Sequence, residues 1–191
     1  MTTDSGGSAF HGKLAWQSKG LVRGGYTVPI PAETRIGHVH LRVANLDRSI
    51  HFYSDLLGLE MVQQIGHEAA FLSAGGYHHH LGLNTWGVGR DAGPPQPGST
   101  GLYHVAFVYP GRSELGRAVS VLMEASWPID GCSDHGVSEA VYLKDPDQNG
   151  VELYWDRPEM EWPRTSEGEL AMYTRPMDLA SLVPSPGIEQ T

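Results

Sequence analysis

The chain has 191 residues, enough for one sizeable hydrophobic core or two small ones. Its 22 Asp and Glu against 13 Lys and Arg leave a net charge of -9, which gives no general pull toward nucleic acid or an anionic membrane, and no apolar run approaches the ~20 residues of a membrane span. Cys132 is the only cysteine, which excludes an intramolecular disulfide and a thiolate-rich zinc site; with no basic segment leading into an apolar stretch at the N-terminus, a reducing, cytoplasmic setting is expected.

Residues 1–34 are rich in Gly, Ser and Thr and lack periodicity, so they read as an arm that is partly disordered. From Arg35 the pattern tightens. In Gly37-His38-Val39-His40-Leu41-Arg42-Val43, Val39, Leu41 and Val43 share one strand face, and His38 and His40 share the other. Asn45 is an N-cap for a helix whose apolar side includes Ile50, Tyr53 and Leu57, and Gly58 ends it. Strands follow near residues 60–65, 69–73 and 78–85. Alternation in the last puts His78 and His80 on the face of Asn84, and His79 with Leu81 and Leu83. Residues 87–100, with four Gly and three Pro, form a long loop.

The order then repeats. A strand over 102–109 sets His104 opposite Val105 and Phe107. Ser113 is the expected N-cap of a helix carrying Leu115, Ala118, Val119 and Leu122 on one side. Strands follow at 129–131, 140–143 and 151–155, with a strong turn at Asp145-Pro146-Asp147-Gln148-Asn149-Gly150. In the last strand Glu152 opposes Val151, Leu153 and Trp155. Residues 158–191 form a C-terminal extension, with a short helix expected over 177–183. The match of His38-Val39-His40-Leu41 to His104-Val105-Ala106-Phe107 makes the chain a duplication. The fold class is α+β: two tandem βαβββ modules, at about 35–88 and 101–157, in one domain over 35–157. Two imidazoles and a carboxylate facing one cavity would make a facial triad, which suits a divalent ion such as Fe(II) with coordination positions left open. His38, His104 and Glu152 are that candidate set.

Over residues 35–157 the chain resembles the vicinal-oxygen-chelate superfamily, which includes glyoxalases, extradiol dioxygenases and drug-sequestering resistance proteins. The resemblance rests on the His38 strand, on His51-Phe52-Tyr53 leading to Leu56-Leu57-Gly58-Leu59, and on Asp145-Pro146-Asp147 before Gly150-Val151-Glu152-Leu153. The segments Ala69 to Trp86 and Asp134-His135-Gly136-Val137-Ser138-Glu139-Ala140 are most similar to the catechol 2,3-dioxygenase group. This implies modules whose mixed sheets curl around a metal-binding cavity. It also implies Fe(II), alternatively Mn(II), on His38, His104 and Glu152, and a catechol substrate cleaved with dioxygen. His135 and Tyr142 match positions that orient or hydrogen-bond the substrate. His80 either steers dioxygen or donates a proton, or is a fourth ligand. Many relatives carry two paired units and this chain one, so the number of subunits stays open, a homo-oligomer included. Two other classes remain: a Lewis-acid isomerase or lyase of glyoxalase type holding Zn, Ni or Mn, and a small-molecule-binding protein without catalysis.

Overall fold

The computed structural model describes residues 29–89, 92–96 and 98–183, so the arm expected over 1–34 lies almost wholly outside the described residues. From Val39 two βαβββ units follow one another. The first comprises β1 (Val39–Arg42), α1 (Leu46–Ile50), β2 (Glu60–Ile65), β3 (Ala69–Ser73) and β4 (Leu81–Asn84). Its sheet order is β1-β4-β3-β2, with β1 parallel to β4 and the other pairs antiparallel. The second comprises β5 (Val105–Val108), α2 (Arg112–Glu124), β6 (Ile129–Asp134), β7 (Ser138–Lys144) and β8 (Gly150–Asp156). Its order is β5-β8-β7-β6, and again the first strand is parallel to the last. The α+β duplication expected from the sequence is present. Among the described residues no helix is long and apolar enough to cross a membrane.

Local chemistry explains the boundaries. Asn45 Oδ1 accepts the Arg48 amide at 3.0 Å and starts α1. The helix then widens into a π-helical segment, His51–Leu56, where the Leu57 amide reaches back to the Phe52 carbonyl. The wider turn lets the adjacent Phe52 and Tyr53 both be fully buried, while Ile50 and Leu57 are only half-buried. Gly58, at φ 82°, closes the segment as expected. α2 begins two residues earlier than its sequence suggested. Extended Gly111 is the N-cap, and Ser113 Oγ instead meets Glu114 Oε2 at 2.9 Å. The C-terminal extension joins the second sheet: β9 (Arg175–Pro176) pairs with β6. The helix expected over 177–183 is a single 3-10 turn at Leu179–Ser181, followed by buried Leu182.

One contiguous core holds both modules. Leu41, Leu72 and Leu83 come from the first sheet, Val141, Leu143 and Leu153 from the second. Leu115, Val119 and Leu122 of α2 fill the space with Phe52 and Tyr53. Phe52 packs 4.7 Å from Trp127, centroid to centroid, and Tyr53 lies 6.4 Å from Phe107. The helix-covered faces therefore share an interior, and the opposite faces are left outside it.

The Asp-Pro-Asp turn before β8 also joins the modules, a role the sequence did not disclose. Buried Asp145 accepts four hydrogen bonds: from the amides of Asp147 and Asn149, from Asn149 Nδ2, and from Tyr53 of the first module at 2.9 Å. Asp147 in turn takes Arg48 Nη2 at 2.6 Å and the Ala44 amide at 3.2 Å.

Candidate metal centre

The outer face of the second sheet gathers four of the six candidate side chains. Gly150 makes this approach feasible, because a side chain there would run into the Tyr103 carbonyl and the His104 backbone. His104 consequently lies against the strand carrying Glu152, its Nε2 2.9 Å from Glu152 Oε2. Tyr142 faces Glu152 across the β7–β8 register and donates to Oε1 at 3.1 Å. Its phenolic oxygen also meets His135 Nε2 at 2.6 Å. His135 Nδ1 lies 3.1 Å from both the Tyr173 carbonyl and Thr174 Oγ1. An open cleft of about 410 Å³ leads to this row, lined by Tyr103, His104, Ser133, His135, Tyr142 and Thr174.

The Tyr142 hydroxyl stands between Glu152 Oε1 and His135 Nε2 with a single proton to give, so it donates to one of them at a time. At His135 Nδ1 the Tyr173 carbonyl can only accept, while Thr174 Oγ1 can donate or accept. Burial, and after it the Glu152 carboxylate, push the Tyr142 phenol far above its ordinary value, so it remains a donor at neutral pH.

Ion pairs brace the His135 loop. Glu139 takes Arg112 Nε at 2.7 Å and Arg157 Nη2 at 2.8 Å, and Arg157 also reaches Asp134 at 3.3 Å. Burial opposes the Glu139 charge, but the two guanidinium groups outweigh it and hold the carboxyl below its ordinary value. Gly136, at φ 80°, turns the chain against Pro163 and Tyr173, where a Cβ would approach ring atoms to 2.7 Å. Tyr173 and Thr174 were not legible as site residues. Their partner lies 38 and 39 positions away, and the segment has no periodicity to reveal it.

His38 and His80 belong to the first module instead. His38 is exposed and packs on His79 at 4.5 Å. The His78–His80 run is a bend rather than a strand, so alternation does not apply, and His79 lies beside His38 and Phe71 instead of with Leu81 and Leu83. His80 Nδ1 accepts the Ala74 amide at 3.3 Å and faces Ser73 Oγ at 3.0 Å. Burial and then His38 pull the His40 imidazole below its ordinary value. Burial and the surrounding histidines do the same to His79.

Among the described residues no three His, Cys, Asp or Glu side chains are gathered so as to hold a metal ion. His104 and Glu152 fit as two of the ligands. Adjacent donors on an octahedral ion with bonds of roughly 2.1 Å stand about 3.0 Å apart, and these atoms stand at 2.9 Å. His104 Nδ1 is buried and has no hydrogen-bond partner among the described residues. The third expected ligand, His38, is not in this group within one chain.

Comparison with known proteins agrees with this architecture. Residues 35–153 match the model of the Glyoxalase/Bleomycin resistance protein/Dioxygenase superfamily. A catechol-2,3-dioxygenase of Bacillus subtilis (strain 168) is 39% identical over 163 residues, 84% of this chain and 55% of that protein. A manganese-dependent 2,3-dihydroxybiphenyl 1,2-dioxygenase of Geobacillus genomosp. 3 is 28% identical over 71% of this chain and 40% of its own length. The chain thus spans about half the length of these curated relatives. A glyoxalase/dioxygenase from Nostoc punctiforme superposes with a TM-score of 0.57 at 23% identity, over 70% of this chain and 99% of that one, and supports the fold. With the repeat, its strand register and the family match falling on the same residues, the chain belongs to the Glyoxalase/Bleomycin resistance protein/Dioxygenase superfamily.

Proposed function

We propose that the chain is a metal-dependent extradiol dioxygenase that cleaves a catechol-type ring with dioxygen, using Fe(II) or alternatively Mn(II) on His38, His104 and Glu152. The observation that carries this reading is the row His104–Glu152–Tyr142–His135 on an open cleft. The similarity to named catechol and dihydroxybiphenyl dioxygenases supports it. The ion would bring the diol and dioxygen together and couple them electronically.

The protein's own part is positioning and proton handling. His135, anchored at Nδ1 by the Tyr173 carbonyl and Thr174 Oγ1, stands at the cleft where its ring can take a proton from a substrate hydroxyl. Tyr142, kept protonated, either holds Glu152 Oε1 or turns that one proton to a substrate oxygen. Both oxygen atoms of dioxygen enter the product, so no further reductant is needed. Tyr103 and Thr174 shape the mouth of the cleft. His80 stands with His38 on the first module, so its part in the reaction depends on that face reaching the cleft.

Protein purified without oxygen should carry about one Fe or Mn per chain, and catechol should trigger oxygen uptake that chelation abolishes. Bound Zn or Ni without oxygen uptake would move the assignment to a glyoxalase-type isomerase or lyase. Failure to bind any metal on reconstitution would leave a small-molecule-binding protein.

A further inference from the structure

The half-buried cations of the second module, Arg112, Lys144 and Arg157, have different surroundings. Arg112 and Arg157 both close on Glu139, and Arg157 also meets Asp134. Lys144 forms no ion pair among the described residues. Its backbone is nevertheless fixed. It pairs with Gly150 in the β7–β8 register, and its carbonyl accepts Trp127 Nε1 at 3.0 Å.

Lys144 follows Tyr142 by two residues on β7, so both side chains leave the sheet on the outer face. Gly150, opposite, has no side chain to cover it, and Lys144 lines the cleft together with Tyr103 and His104. An ammonium that has lost part of its hydration and gained no carboxylate gives an incoming anion a favourable partner. Beyond the row, the cleft carries one other charged side chain. Asp130 stands at the bulge where the β6–β7 register shifts between Ile129 and Gly131. It is exposed, so water solvates its carboxylate. The cation is the less hydrated of the two, and a charged ligand gains most beside it.

We propose that Lys144 determines specificity, and that the catechol taken by this cleft carries a carboxylate on the ring side away from its diol, held by the Lys144 ammonium. This rests on the dioxygenase reading above and names its substrate class. The diol sits toward His104 and Glu152, and the ring extends past Tyr142 toward the end of β7. Alternate residues of a strand stand roughly 7 Å apart, close to the span of a benzene ring with a substituent at each end. Lysine is a point charge on a flexible stem, so it tolerates more than one spacer length between ring and carboxylate.

The test is calorimetric titration of metal-loaded protein without oxygen, where binding is read and turnover cannot occur. The probes are 3,4-dihydroxyphenylacetate, its neutral amide and 4-(2-aminoethyl)catechol, whose methylene spacers insulate the diol from the substituent charge. Wild type should bind the carboxylate about tenfold tighter than the amide. Lys144→Met should bring that ratio to about one, and Lys144→Arg should keep most of it. Metal analysis and far-UV circular dichroism of each variant separate a lost contact from a lost site or fold. Equal affinity of wild type for carboxylate and amide overturns the proposal and leaves the dioxygenase reading standing. So does a ratio unchanged in Lys144→Met, or tightest binding of the ammonium compound, which would make Asp130 the selecting charge. Metal-loaded protein that binds none of the three diols overturns the dioxygenase reading and the proposal with it.

Discussion

The two modules share a topology and differ at the position that decides their chemistry. In the first, Val39 pairs with Leu81 and His40 with Gly82; in the second, Val105 pairs with Val151 and Ala106 with Glu152. Gly82 therefore occupies the place that Glu152 holds in the repeat. The ring of His40 fills the space above it, so that a Cβ on Gly82 would lie 2.8 Å from His40 Nδ1. At this pair of positions the first module sets an imidazole against a glycine, while the second sets a carboxylate within reach of His104 and Tyr142. The duplication therefore supplies two like scaffolds with different side-chain chemistry at one equivalent position.

The largest effect that would test this contrast is on turnover. His135→Phe and Tyr142→Phe each remove a member of the proton row without removing a proposed ligand. Both should lower kcat by about 10²–10³-fold with bound metal unchanged, whereas His80→Phe on the other module should lower it by about tenfold or less. Steady-state oxygen uptake beside metal analysis reads this directly. Equal losses at His80 and His135 would erase the distinction between the modules.

A second contrast concerns the glycines. Gly150 faces backbone, the Tyr103 carbonyl and the His104 main chain, and backbone cannot step aside. Gly150→Ala should cost about 3 kcal/mol and displace His104 from Glu152. The nearest atoms to a Cβ on Gly82 belong to the exposed His40 ring, which can rotate away, so Gly82→Ala should change stability by less than about 1 kcal/mol. Urea midpoints of the two variants measure the difference. A Gly82 variant as damaged as the Gly150 variant would show that the His40 ring is fixed in place.

Much of this contrast was legible from period-2 patterning and the repeated strand motif, because alternation alone fixes which side of a strand faces the helix. Asn45 and Gly58 were readable as helix ends because capping is local chemistry. Alternation could not say which face of one module would pack against the other, and that choice separates His38 from His104 and Glu152. Nor could it apply to His78–His80, where the backbone bends and period 2 lapses. The anchoring of His135 by Tyr173 and Thr174 depends on a segment that follows the duplicated unit and carries no pattern of its own.

The link between modules offers a smaller effect. Tyr53 supplies one of the four hydrogen bonds on buried Asp145, and burial raises that carboxyl above its ordinary value despite them. Tyr53→Phe should cost about 1–2 kcal/mol by leaving Oδ2 short of a donor. Asn149 Nδ2 still reaches that oxygen, which keeps the loss modest. A thermal or urea midpoint equal to wild type would mean that water replaces the phenol without loss, and that the turn joins the modules chiefly through Asp147 and Arg48.

The same phenol gives the last and smallest effect, visible only in alkali. An unfolded tyrosine ionises near pH 10. In the fold, burial holds the Tyr109 phenol up to about 12, and burial with the Asp145 charge beside it holds Tyr53 well above its ordinary value. Through this interval the unfolded chain has released protons that the folded chain retains. The unfolded state then binds fewer protons, so stability falls as pH rises. The tyrosine contribution should be intact below about pH 10 and decline between there and about pH 12. Tyr109→Phe should flatten part of that slope while leaving neutral-pH activity close to wild type, since Tyr109 lies in the partly buried shell of the shared core and not among the cleft residues. Urea unfolding at stepped pH checks it. An alkaline slope unchanged in both Tyr53→Phe and Tyr109→Phe would show that these phenols ionise alike folded and unfolded, and that the interior between the modules is wetter than its packing indicates.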